Sequence, residues 1–284
     1  MNRTFHLAEL KAAVAGTPFA NHIHHLPTIP STNDLAIAAA RAGTRTGVWI
    51  ADEQTKGRGR AGHAWHSAKG DGLYMTALVS PPTPMQSVLQ LSMRVAVAVQ
   101  AAIASTAGFL IPEQIDIRWP NDLMLNGRKV GGILIDTASR SVSAAQPTLL
   151  RYAAIGIGIN INHLAFPAGL DSIATSLRRE LPRTASGAPA PPLRREPLAA
   201  AILIALAAEL DSLATLPPGN LSRYSSWIEG KRVRVEPRPG DLLPSYTGTT
   251  AGLEPQGFLR VRTDDGELRV VLSGGLRELE TSVS

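Results

Sequence analysis

The stretch from residue 115 to 162 limits what this chain can fold into more than any other. It holds "IDIRW", "DLMLN", "KVGGILIDT" and "TLLRYAAIGIGININ", runs rich in apolar and β-branched residues, with Asn126-Gly127 between the second and third and a Ser/Ala-rich turn before the fourth. Both central residues of a tight hairpin turn need positive φ, which Asn-Gly tolerates, so these runs are expected as antiparallel strands of a meander. Glycines at 131, 132, 156 and 158 leave part of that sheet without side chains, so that a ligand can lie directly on the backbone. The alternation Gly156-Ile157-Gly158-Ile159-Asn160 is not a dinucleotide-binding fingerprint, because the spacing is wrong and no helix follows.

Around the meander the pattern changes. Pro30-Ser31-Thr32-Asn33-Asp34 leads into "LAIAAARAG", a capped helix over about 34–42 with Gly43 as its stop. "GVWIADEQ" and "LYMTALVS" read as strands on either side of "GRGRAGHAW", residues 57–65. Val88, Leu91, Val95, Val99 and Ala102 fall at steps of three and four, which predicts an amphipathic helix between Met85 and Ser105. Residues 181–197 carry five prolines and read as a loop or linker, followed by a helix over roughly Leu198–Leu213. From Lys231 the texture is of short alternating strands, "KRVRVEP", "GFLRVRT" and "LRVVLS", with an Asp265-Gly266 turn between the last two. The expected organisation is a ligand-binding domain over 1–229 and a small β domain over 230–284.

Composition narrows the function classes. With no cysteine, a disulfide framework, a thiol nucleophile and a thiolate metal site are all excluded. A formal charge of +5 favours an anionic ligand without demanding nucleic acid. The first twenty residues are interrupted by His6, Glu9 and Lys11, unlike a signal peptide, and the run from Leu198 to Ala208 is well short of the ~20 residues that span a bilayer. The expectation is a soluble cytoplasmic protein without a membrane partner.

Four segments can carry chemistry. In "GRGRAGHAW", arginines alternating with glycines bring guanidinium forks and bare N–H groups to a phosphate or carboxylate; the same letters also suit a solvated loop or a nucleic-acid segment. Arg118-Trp119-Pro120-Asn121-Asp122 presents oxygen ligands beside a cation, for a ribose or a Mg2+ bridged to phosphates, or else a turn with local caps. Trp119 reads as core. Lys129 opens a strand whose next positions include Gly131 and Gly132, a charged end to a bare floor or an exposed lysine beside a bulge. The fourth is the glycine alternation ending at Asn160. Together they fit a sheet floor that holds an elongated anion under a basic lid.

In this order, "STN", "ADEQTKGRGRAGHAW", "IRWPNDLMLNGRKVGGILID" and "IGIGININ" closely resemble the biotin protein ligases, over about residues 20–284 and including a small β domain ending in "VLSGGLREL". The resemblance implies an α+β fold: a mixed, largely antiparallel sheet with flanking helices, of class II synthetase-like type, then an SH3-like barrel. It implies biotinylation of a lysine on a biotin carboxyl carrier protein through biotinyl-5'-AMP, with ATP and Mg2+ required. By the same resemblance Ser31, Thr32, Asn33, Gln54, Gly57, Arg58, Lys129 and Gly132 would bind biotin. Arg58, Arg60, Trp65, Asn121, Asp122, Lys129 and Asn160 would meet ATP or the adenylate. Lys129, Arg58 and Arg60 would be catalytic, the loop closing around the ligand. Mg2+ would be held mainly by ATP phosphates, with Asn121 or Asp122 as further candidates, and Asp122 is a candidate proton acceptor in the transfer step.

Three departures from the family pattern matter. His63 stands where the loop commonly has arginine, so a permanent charge gives way to one that depends on pH. Arg118 stands where lysine often precedes "WPND", which changes hydrogen-bond geometry at constant charge. Some relatives carry an N-terminal helix-turn-helix; about twenty residues precede the resemblance here, too few for a three-helix DNA reader, so a monofunctional ligase without a DNA partner is expected. Monomer and homodimer both remain open, since a free sheet edge beside the meander could pair protomers. The rival readings are a lipoate or octanoyl ligase and a non-enzymatic biotin sensor on DNA.

Overall fold

In the computed structural model, described for residues 4–107, 114–140, 148–212, 225–237, 244–272 and 274–279, the chain builds two sheets. The first comprises β1 (Ile23–Leu26), β2 (Gly47–Ala51), β3 (Gly72–Val79), β4 (Ile115–Arg118), β5 (Asp122–Leu125), β6 (Arg128–Arg140) and β7 (Leu149–Asn160), in the order β1-β2-β3-β7-β6-β5-β4. In this sheet β1 and β2 pair in parallel and the other neighbours are antiparallel, β5 and β6 across the Asn126-Gly127 turn. Asn126 takes φ 50° and Gly127 φ 73° in that turn. The Ser/Ala-rich turn at 141–147 and the junction at 213–224 lie outside the described residues.

Strand parity divides the sheet. Ile155, Ile157 and Ile159 point into the main core, packed beneath α1 (Leu7–Ala13), α3 (Val88–Ala107) and α5 (Glu196–Ser212). Gly156, Gly158 and Asn160 face the other way, where α2 (Thr32–Arg41) lies with Ala36 and Ala40 against Trp49 and Leu78. One face is therefore core and the other is partly bare. By length and composition α3 is apolar enough to cross a membrane, yet more than half of it is buried within the fold.

Three boundaries differ from the sequence expectation. α1 and β1 were not expected, since seven and four residues are too short for periodicity to register. α5 begins at Glu196 rather than Leu198, because Pro197 in a first turn forgoes only an N–H that has no helical partner. Within 181–197, Ala190 and Arg195 are buried and Leu193 N–H donates to Asn162 Oδ1, so the latter part of this proline-rich stretch packs onto the first domain.

The second sheet, β8 (Glu229–Glu236), β9 (Tyr246–Leu253), β10 (Leu259–Thr263), β11 (Leu268–Val271) and β12 (Gly275–Glu278), runs β11-β10-β9-β8-β12 and is wholly antiparallel. Its edge strands β11 and β12 do not pair among the described residues, so the barrel expected from the resemblance is open. Met93 and Trp119 share a core cluster with Trp227 and Ile228, just before β8, and with Val233 and Val261 of the second sheet, and Trp119 Nε1 donates to the Gly257 carbonyl at 3.0 Å.

Candidate active site

The bare face of the first sheet floors a cleft of about 710 Å3, lined by Ser31–Asn33, Gln54, Arg60, Trp65, Asn121, Asp122, Lys129, Gly132, Gly158 and Asn160 among others. Lys129 reaches this face because of a β-bulge. Asp122 pairs with Gly132 and Leu123 with Gly131, but Met124 pairs with Lys129, so Val130 is the extra residue and turns into the core. Without that shift, alternation would put Lys129 on the core side with Gly131. Gly131 itself faces the core against Ile159 and Leu123, so of the two glycines only Gly132 forms floor.

Lys129 Nζ lies 2.5 Å from Asp122 Oδ1 and 5.4 Å from the Trp65 ring centroid. Arg118, the cross-strand partner of Asp122, donates to its other oxygen through Nη2 at 2.6 Å and Nε at 3.2 Å. Burial alone would raise the Asp122 pKa, but the Lys129 and Arg118 charges outweigh it and hold the carboxyl below the usual carboxylate value. Such a group is a poor proton acceptor, which argues against the acceptor role considered for it. Both Asp122 oxygens are thus paired with cations, while Asn121 accepts from Arg60 Nη1 at 3.0 Å and donates to the Ile133 carbonyl at 2.6 Å. Among the described residues no three His, Asp or Glu side chains gather as a metal site.

At the other end, Ser31 caps α2, its hydroxyl accepting from Asp34 N–H. Thr32 donates to Gln54 Oε1 through N–H at 2.8 Å and its hydroxyl at 3.0 Å, and Gln54 Nε2 donates to Ser67 Oγ. Buried Thr76 donates to Asn33 Oδ1 at 2.5 Å, and Asn33 Nδ2 donates to Asp136 Oδ2 at 3.0 Å. A Cβ at Gly156 would lie 2.2 Å from Asn33 Oδ1, so this glycine makes room for the corner.

The loop is not slack. Gly57 O accepts from Trp65 N–H at 2.9 Å and Gly59 N–H donates to the His63 carbonyl at 2.7 Å, a small hairpin closed by a 3₁₀ turn at Arg60–Gly62. Its own backbone groups pair across the loop, which fixes where its arginines start from. Gly57 does not line the cleft; a Cβ there would strike the Trp65 carbonyl at 2.6 Å. Trp65 lies across Gly158, where a Cβ would come within 2.6 Å of the indole, and its buried Nε1 makes no hydrogen bond. Arg58 also lines the cleft, where it pairs with Asp34 at 2.8 Å and Asp136 at 3.0 Å. His63 is exposed at the cleft mouth. Asn160 lines the cleft while its Nδ2 donates to the Thr175 carbonyl at 3.1 Å, next to the Ile173–Thr175 backbone that bonds Lys129.

The structure thus brings Arg60, Trp65, Asn121, Asp122, Lys129, Gly132 and Asn160 together, and Ser31, Thr32, Asn33 and Gln54 at one end. Asp136 was missed, although it shares the parity of Gly132 and Leu134. Thr76 and the lip made by Glu236, Pro237, Leu276 and Arg277 carry no sequence signal, for register and domain seating place them.

The family model for the biotin/lipoate A/B protein ligase family matches residues 26–160, and that for the biotin protein ligase C-terminal domain matches 230–275. The biotin–[acetyl-CoA-carboxylase] ligase of Mycobacterium tuberculosis (strain ATCC 25618 / H37Rv) is 31% identical over 85% of this chain and 82% of its own. The bifunctional ligase/repressor of Bacillus subtilis (strain 168) is 39% identical over 59% of this chain, and the match spans 48% of that protein; for the Bacillus spizizenii counterpart the share is 50%, so the chain spans about half the length of these curated relatives. The biotin protein ligase from Aquifex aeolicus in complex with biotin and ATP shares the fold, with a TM-score of 0.68 at 24% identity over 91% of this chain and 99% of that one. The mixed sheet with its glycine-floored cleft and the small β domain thus fall in the class of biotin and lipoate protein ligases. Within that class the chain belongs to the biotin protein ligase family.

Proposed function

We propose that this chain is an ATP-dependent biotin ligase acting on a lysine in the biotin carrier domain of acetyl-CoA carboxylase or a related carboxylase. An oxygen of the biotin carboxylate attacks the α-phosphorus of ATP, the bond to pyrophosphate breaks, and biotinyl-5'-AMP forms. A carrier lysine, its amine deprotonated, then attacks the biotinyl carbonyl carbon and AMP leaves. The observation that carries this reading is the Lys129 ammonium set over the bare Gly132–Gly158 floor by the β6 bulge. Two anions must meet in the first step, and a preorganised cation offsets their repulsion without reorganisation. No enzyme nucleophile is needed.

The corner of Thr32, Asn33, Gln54 and Ser31 offers paired donors and acceptors to the ureido head of biotin, while Arg60, Asn121, Trp65 and Asn160 border the nucleotide end. Arg58, held by Asp34 and Asp136, steadies that corner; it would have to leave them to meet the adenylate. Mg2+ would be held mainly through the nucleotide phosphates, since among the described residues no three His, Asp or Glu side chains gather as a metal site. Biotin-dependent ATP–pyrophosphate exchange, followed by biotin transfer to a purified carrier domain, tests the reading. Exchange that runs equally well without biotin, or that answers to lipoate instead, overturns it.

A further inference from the structure

Arg118 does two things at once. Its fork holds Asp122 Oδ2, leaving Oδ1 for Lys129, and its guanidinium carbon lies 5.6 Å from the ring centroid of Trp227, a buried residue of the arm into the small domain. Lys231 Nζ lies 5.6 Å from the same ring. The arm is sewn to β4 directly before Arg118: Ser225 Oγ donates to the Ile117 carbonyl, and Ser226 donates to Asp116 through N–H at 2.9 Å and through its hydroxyl. Only a planar guanidinium can stack on an aromatic face and fork onto a carboxylate together, so the lysine common at this position in the family would not reproduce the arrangement.

We propose that Arg118 and Trp227 are positioning residues that couple the seating of the small domain to the charge and posture of Lys129. This rests on the ligase reading above. Two cations share one carboxylate, so the trio Arg118, Asp122 and Lys129 carries a net single positive charge. With Arg118 removed, Asp122 neutralises Lys129 and swings free of β4, and the pull on the triphosphate is lost. Trp227 acts one step further out, by fixing the plane in which Arg118 meets Asp122.

The test uses the full chain, with thermal melts to show that each variant folds and single-turnover adenylation as readout. Arg118→Met is expected to slow adenylation at limiting ATP about tenfold, leaving the biotin dissociation constant without ATP within about twofold. In an Asp122→Asn background the same substitution should have no further effect, because the route runs through that carboxylate. Trp227→Leu should cause part of the loss and Trp227→Phe should restore most of it; if Trp227→Leu does not fold, Arg118→Lys, which keeps charge but loses the stack and fork, should show that partial loss instead. An Arg118→Met effect below about twofold, or one that adds in full to Asp122→Asn, overturns the coupling. Wild-type chain without biotin-dependent adenylation would instead sink the ligase reading on which it stands.

Discussion

Lys129 reaches the cleft only because Val130 bulges out of the β5–β6 ladder, and there it faces one carboxylate and one indole. Lys129→Ala should slow formation of the adenylate by about a hundredfold or more, the loss expected for one preorganised charge aimed at the reacting phosphate. Single-turnover adenylation at an unchanged rate would remove the role assigned to it. Gly158 offers an independent check on Trp65. A methyl group there must displace the indole or the strand, so Gly158→Ala should lower stability by about 1–3 kcal/mol in urea unfolding. A variant as stable as the parent would mean that Trp65 moves off the floor freely.

At the scale of elements, the β4–β5 hairpin holds its carboxylate by two cations from two strands, and this sets an acid limit. Because the folded pKa of Asp122 is depressed below its ordinary 3.8, its contribution to stability is in place above that value and is lost as pH falls through the lowered one. Glu180, which accepts from Asn126, Arg128 and Thr175, is lowered by these partners against an opposing cost of burial and acts in the same direction. Urea unfolding at pH 7 and at successively lower pH should show stability falling below about pH 4, and Asp122→Asn should flatten that slope. An identical slope in the variant would show that the triad contributes nothing to the acid limit. Much of this level was legible in advance. The Asn126-Gly127 turn, the helix at 88–107 and the strands through Asn160 follow from turn chemistry and periodicity, whereas the bulge at Val130 does not, since an extra residue in a ladder is defined only by its partner strand.

For the whole molecule, the cluster that joins Met93 and Trp119 to the strands of the small sheet predicts that the two domains melt together. Calorimetry should give one transition, and Trp119→Phe, which deletes the hydrogen bond to Gly257, should lower stability by about 1 kcal/mol or more. Two resolved transitions in the parent chain would show that the domains unfold independently. By itself the sequence determined the antiparallel meander, the capped helix after Pro30, the absence of thiol chemistry and the set of motif residues, because each depends on local φ preferences, on side-chain period or on the mere presence of a residue type. Tertiary structure alone decided that Gly132 is floor and Gly131 is core, that Arg58 turns to Asp34 and Asp136, that Asp122 is pinned between Arg118 and Lys129, and that the small domain forms a lip of the cleft. Those outcomes depend on strand register and on which charges burial brings within reach of one another, and neither is a property of any stretch of chain taken alone.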